Sequence, residues 1–137
     1  MAIDNIQDGS LGSVVRGILN QVINWINGRP KVYKAIISQS GTSAPTVVAV
    51  LENTAGTTTF NYDNVGLFTV HNSNFAENKV LYSLTTGQGS ASGIMTAETG
   101  QDITTNEWEG RISTLDLSGN AVNGILYNAT LTIEFYP

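Results

Sequence analysis

ILYNATLTIEFY, residues 125–136, is the stretch that decides the fold. Ile125, Tyr127, Ala129, Leu131, Ile133 and Phe135 alternate with Leu126, Asn128, Thr130, Thr132, Glu134 and Tyr136. A period of two puts the first set on one face of an extended strand and the second on the other. Working back from it, SGNAVNG (118–124) supplies a turn, and residues 107–117, 94–99 and 79–86 read as strands. The last of these sets Val80, Tyr82 and Leu84 on one face. Residues 57–63 and 67–72 form a hairpin about Asn64-Val65-Gly66, while 87–93 is a glycine-rich loop. Further upstream, KVYKAIISQ (31–39) is a strand, 40–45 a turn, and TVVAVLEN (46–53) an apolar run of the kind expected in a central strand. About seven or eight short strands at this spacing predict a mainly β fold, an antiparallel β-sandwich or jelly roll.

The period changes to 3.6 in SLGSVVRGILNQVINWIN, residues 10–27. Its apolar residues fill a continuous arc of roughly 180°, and Ser13, Arg16, Asn20, Gln21 and Asn24 lie opposite. Ser10 or Ser13 can cap its start, and Gly28-Arg29-Pro30 stops it. Leu11, Val15, Ile18, Val22 and Trp25 follow heptad spacing, an oligomer interface in which a homotrimer can form. The other edge, Leu19, Ile23 and Ile26, is expected to face the chain's own sheet. The expected organisation is an N-terminal arm and docking helix over 1–30 and a β-sandwich domain over 31–137.

Composition narrows the functions. The 137 residues include no cysteine, which excludes disulfides and thiolate metal sites. A net charge of −5 with six basic residues argues against a nucleic-acid partner. Nothing approaches ~18 consecutive apolar residues, so no membrane span is expected. MAIDNIQDG has neither the basic start nor the apolar core of a signal peptide, which predicts synthesis in the cytoplasm.

Catalytic chemistry finds few candidates. His71 is the one histidine, with no nucleophile elbow to serve, and reads as a surface or turn residue. One histidine without cysteine builds no transition-metal site, and Asp4-Asn5 and Asp8-Gly9 lack calcium-loop spacing. GQGSASG (87–93) is followed by a strand instead of the helix a phosphate cradle needs. Glu107 and Glu109 flank Trp108; paired acids beside an aromatic could cut a glycoside, but two acids on an outer strand face with Trp108 turned to the core is the simpler arrangement. Tyr62, Trp108 and Tyr136 are the candidates for stacking on sugar rings. No cofactor and no catalytic residue is assigned.

YKAIISQSGTSAPTVVAVLEN (33–53) resembles a module of structural proteins of tailed bacteriophages, including the crAss-like group. The stretch from Asp8-Gly9 through Val14-Val15-Arg16 to Asn20 is similar to a segment that recurs in phage fibre and tail proteins. The resemblance implies a non-enzymatic virion component: an oligomeric spike, head fibre or tail adaptor, with threefold symmetry usual for short fibres. Its partners would be further copies of itself and, through the N-terminal arm and helix, other virion proteins. The alternative function is a carbohydrate-binding module attaching the particle to host surface glycans.

Overall fold

The structure, a computed structural model, describes residues 12–77, 79–87 and 92–137. Two units are distinguished: a helical one that runs to Pro30 and takes in Tyr136–Pro137, and a β unit of Lys31–Phe135.

The helix α1 spans Ser13–Asn27. Gly12 is its N-cap and no side chain caps it, so Ser13 is the first helical residue instead of the cap; Ser10 and Leu11 lie outside the described residues. At the other end the Gly28 N–H donates to the Asn24 carbonyl and the Arg29 N–H to the Ile26 carbonyl, and the Arg29 guanidinium sits 3.6 Å over the Trp25 ring. The four-residue spacing brings Arg29 back over Trp25, and the cation also stands at the negative end of the helix dipole.

Eight strands follow: β1 Lys31–Ser38, β2 Thr46–Asn53, β3 Thr59–Asn64, β4 Leu67–His71, β5 Val80–Thr85, β6 Ile94–Gln101, β7 Trp108–Leu115 and β8 Ala129–Phe135. All pairings are antiparallel and form two four-stranded sheets, ordered β2-β1-β8-β5 and β3-β4-β7-β6. The chain changes sheet after β2, β4, β5 and β7. Inward residues of both sheets share one core: Tyr33, Ala35, Ile37, Leu131, Ile133 and Phe135 from the first, Phe68, Val70 and Ile112 from the second. Register matches large to small, with Ile37 opposite Ala129 and Ala35 opposite Leu131. The β3–β4 hairpin turns at Gly66, whose φ of +67° favours glycine. A Cβ there would also collide with the Thr114 carbonyl oxygen.

Two expectations are corrected. TVVAVLEN is an edge strand, not a central one: Val47, Val48, Val50 and Leu51 are 42–57% exposed. Its pairing with β1 skips Val48 and Leu51, two bulges that bend and twist the edge. The apolar run is thus not matched by burial. The C-terminal alternation, in turn, holds only from Ala129. Asn128 takes φ +48°, and both Ile125 and Leu126 are buried ahead of it, so the strand starts four residues later than its pattern. The Asn128 N–H donates to Ser38 Oγ (2.8 Å), which fixes that kink against the end of β1.

The buried Gln39 ties the turn after β1 to the loop before β8. Its Nε2 donates to the carbonyls of Gly41 (2.7 Å) and Ser43 (3.1 Å), and its Oε1 accepts from the Gly124 N–H (2.8 Å). Gln39 lies in the stretch 33–53, and this knot is the structural work it does here.

Candidate functional site

The ladder between β4 and β7 ends at the pair Val70–Gly110, although β4 runs on to His71 and β7 starts at Trp108. Past that pair the strands fork. A cleft of about 690 Å³ opens there, lined by the β2–β3 loop, the end of β4, Phe75, and Asn106–Trp108. Phe75 is its buried floor, packed edge-on against Phe135 (centroids 5.1 Å apart) and stacked on Tyr82 (6.4 Å). Only glycine fits at position 110, because a Cβ would lie 2.7 Å from Phe75 Cζ and 2.9 Å from the Tyr82 hydroxyl. Burial pushes the Tyr82 phenol up to about 12, with the Glu98 charge adding to the rise and the Thr99 hydrogen bond opposing it.

Three asparagines build one rim. Asn53 Oδ1 accepts from the N–H groups of Ala55 and Gly56. The buried Asn72 donates to the Thr57 carbonyl (3.1 Å) and Thr58 Oγ1 (2.9 Å), and accepts from Asn74. Asn74 donates to the Ala55 carbonyl (2.7 Å) and accepts from Lys31 Nζ. The opposite rim is the β6–β7 loop. Asp102 Oδ1 accepts from the Thr104 and Thr105 N–H groups, Asn106 stands at φ +60°, and Gln101 Nε2 donates to its carbonyl and side chain. The Thr104 and Thr105 backbone bonds hold the Asp102 carboxyl below the usual carboxylate range. Both rims are therefore fixed by short-range polar bonds before any ligand arrives.

Sequence alternation placed Glu107 and Glu109 on one strand face opposite Trp108. In the structure Glu107 belongs to the loop, exposed at the cleft, while Glu109 is buried and paired with Arg111 (3.1 Å). Trp108 is partly buried, packs on the core and lines the cleft, as well as a second one beside Tyr82 and Glu98. His71 lines the cleft too, its Nε2 3.0 Å from Asn61 Nδ2. Tyr62 is not brought to this site: its ring packs on Phe68 (5.9 Å) in the core, and its hydroxyl accepts from Asn123. Tyr136 falls in the helical unit and is 45% exposed. Sequence reading missed Phe75 and the three asparagines, for no periodic pattern joins residues 53–75 to 106–110.

A second candidate surface is the apolar arc of α1. Val14 (74%), Trp25 (61%) and Ile18 (56%) are its most exposed residues, and Val15, Val22, Ile26 and Leu19 follow at 37–49%. No residue of α1 is buried. Among the described residues no group of three or more acids and histidines is placed to hold a metal, and no helix is long and apolar enough to cross a membrane. Comparison with protein-family models, with curated proteins and with solved structures finds no match.

Proposed function

We propose that this chain is a non-enzymatic structural protein that assembles with itself through α1, as a trimer, and serves as a small head-fibre, spike or tail-adaptor component of a bacteriophage particle. The observation that supports assembly is the exposed apolar face of a helix none of whose residues is fully buried. A 15-residue helix is marginal on its own in water, so packing must stabilise it. Seven of its apolar side chains are 37–74% exposed, a contiguous apolar face of the kind that protein interfaces cover. A half-cylinder of apolar surface, with β-branched and larger residues and no asparagine within it, suits three helices better than two. Placement in a virion rests on the phage-like segments at 8–20 and 33–53.

The test is light scattering or native mass spectrometry of the purified protein. The expected mass is three times the 14.6 kDa of the chain. Ile18→Asp with Val22→Asp places two carboxylates per chain at the threefold axis and should yield monomers that keep their β circular dichroism. A monomeric wild-type protein at micromolar concentration would refute the assembly. Absence of the chain from purified particles would refute the virion role and leave the assembly standing.

A further inference from the structure

We infer that the cleft at the β4–β7 fork binds a neutral oligosaccharide. Its lining is the first reason. Drug-like and lipid ligands sit in pockets walled chiefly by aliphatic and aromatic side chains. Here the apolar lining is Ala55, Phe75 and Trp108, and the rest is hydroxyl, amide, imidazole and carboxylate, with no leucine, isoleucine or valine. A ligand for this surface must carry many hydroxyls and still offer an apolar patch to one indole. Pyranose rings meet both needs: their axial C–H groups stack on an aromatic face while their hydroxyls bond to the groups around it.

Charge gives the second reason. Among the described residues Glu107 is the one carboxylate lining the cleft, and neither lysine nor arginine lines it. Sialylated, sulfated and phosphorylated ligands would meet the Glu107 carboxylate, while the Lys31 ammonium at the rim is engaged by Asn74 and neither Lys31 nor Asn74 is part of the lining, so the site favours neutral sugars. The third reason is rigidity. Asn53, Asn72 and Asn74 hold one rim and the Asp102–Asn106 turn holds the other. Little ordering entropy is left to lose when a flexible glycan docks. Trp108 is anchored by its packing on the core, with part of its surface left free at the cleft. The inference does not depend on assembly through α1.

The experiment uses the full-length protein labelled with ¹⁵N. Its two tryptophans, Trp25 and Trp108, give two indole N–H signals, one at the cleft and one on the helix. Maltotriose, cellotriose and chitotriose are titrated singly, with 3′-sialyllactose as the anionic comparison. At least one neutral probe is expected to shift the Trp108 signal saturably while the Trp25 signal stays in place, and sialyllactose to bind at least tenfold more weakly. Glu107→Gln and Ser73→Ala, both at exposed rim positions, should weaken that binding severalfold with the β circular dichroism unchanged. Trp108→Ala should abolish it; should that variant fail to fold, the rim variants decide. No shift from any neutral probe at about 10 mM, unchanged affinity in both rim variants, or equal binding of sialyllactose overturns the proposal.

Discussion

Replacing Gln39 by alanine tests whether one buried amide holds together the two ends of the first sheet's central strands. The wild-type side chain makes three hydrogen bonds, to Gly41, Ser43 and Gly124, and is 4% exposed. Each is worth about 0.5–1.5 kcal/mol net, and the Gly124 N–H, half-buried, would be left without its acceptor. The expected loss is therefore about 2–4 kcal/mol. For a domain of this size that corresponds to roughly 6–16 °C in Tm. Urea unfolding followed by tryptophan fluorescence and by far-ultraviolet circular dichroism measures it, and coincidence of the two probes checks that unfolding is two-state. Gln39→Glu keeps the bond from Gly124 but sets a carboxylate against two carbonyl oxygens. It should destabilise at least as much as alanine near neutral pH and recover in part under acid, where the protonated group can donate once. A Tm within about 2 °C of wild type for Gln39→Ala would refute the reasoning, because the loops would then be held by something else.

Two further outcomes follow from the cleft floor. Gly110→Ala forces a methyl group into the space between Phe75 and Tyr82 and should cost about 1–3 kcal/mol, read as a lowered urea midpoint; an unchanged midpoint would mean that Phe75 is free to move aside. The Tyr82 phenol, raised to about 12 from an ordinary 10, favours the folded state while it stays neutral. That contribution is complete below about pH 10 and is lost as pH rises through about 12, so unfolding midpoints should fall over this window and fall less in Tyr82→Phe.

The elements most legible in the sequence were those whose pattern and surroundings agree. β5 and β7 alternate because one face of each meets the core, and the β3–β4 turn is written in Asn64-Val65-Gly66. β2 was misread because an apolar run has the same appearance at an edge as at a centre; only the identity of its neighbours, β1 on one side and none on the other, separates the two. The strand start was misread at Asn128 because a left-handed residue keeps the alternation of letters while breaking the alternation of faces. Trp108 could be picked out as a rare aromatic between two acids. The cleft around it could not, since its floor and rims come from four separate loops and strand ends that only the sheet order brings together. The difference between Glu107 and Glu109 was equally hidden: it depends on Arg111 lying two residues along the same strand face.

The order β2-β1-β8-β5 has a consequence for the folding of the chain. β8, the eighth of the described strands, sits between β1, the first, and β5, and bonds to both along its length. Until residues 129–135 dock, the β1–β2 hairpin and β5 have nothing between them, and the apolar inner faces of Tyr33, Ala35 and Ile37 stay uncovered by their own sheet partner. The second sheet is under no such constraint, because β3, β4, β6 and β7 are all made earlier. Closing a sheet across nearly the whole chain carries a high loop entropy and belongs to the slow class of folding topologies. A chain whose residues 129–135 have not yet docked can therefore hold one finished sheet and one open seam, and the docking of β8 is the step that closes the sandwich.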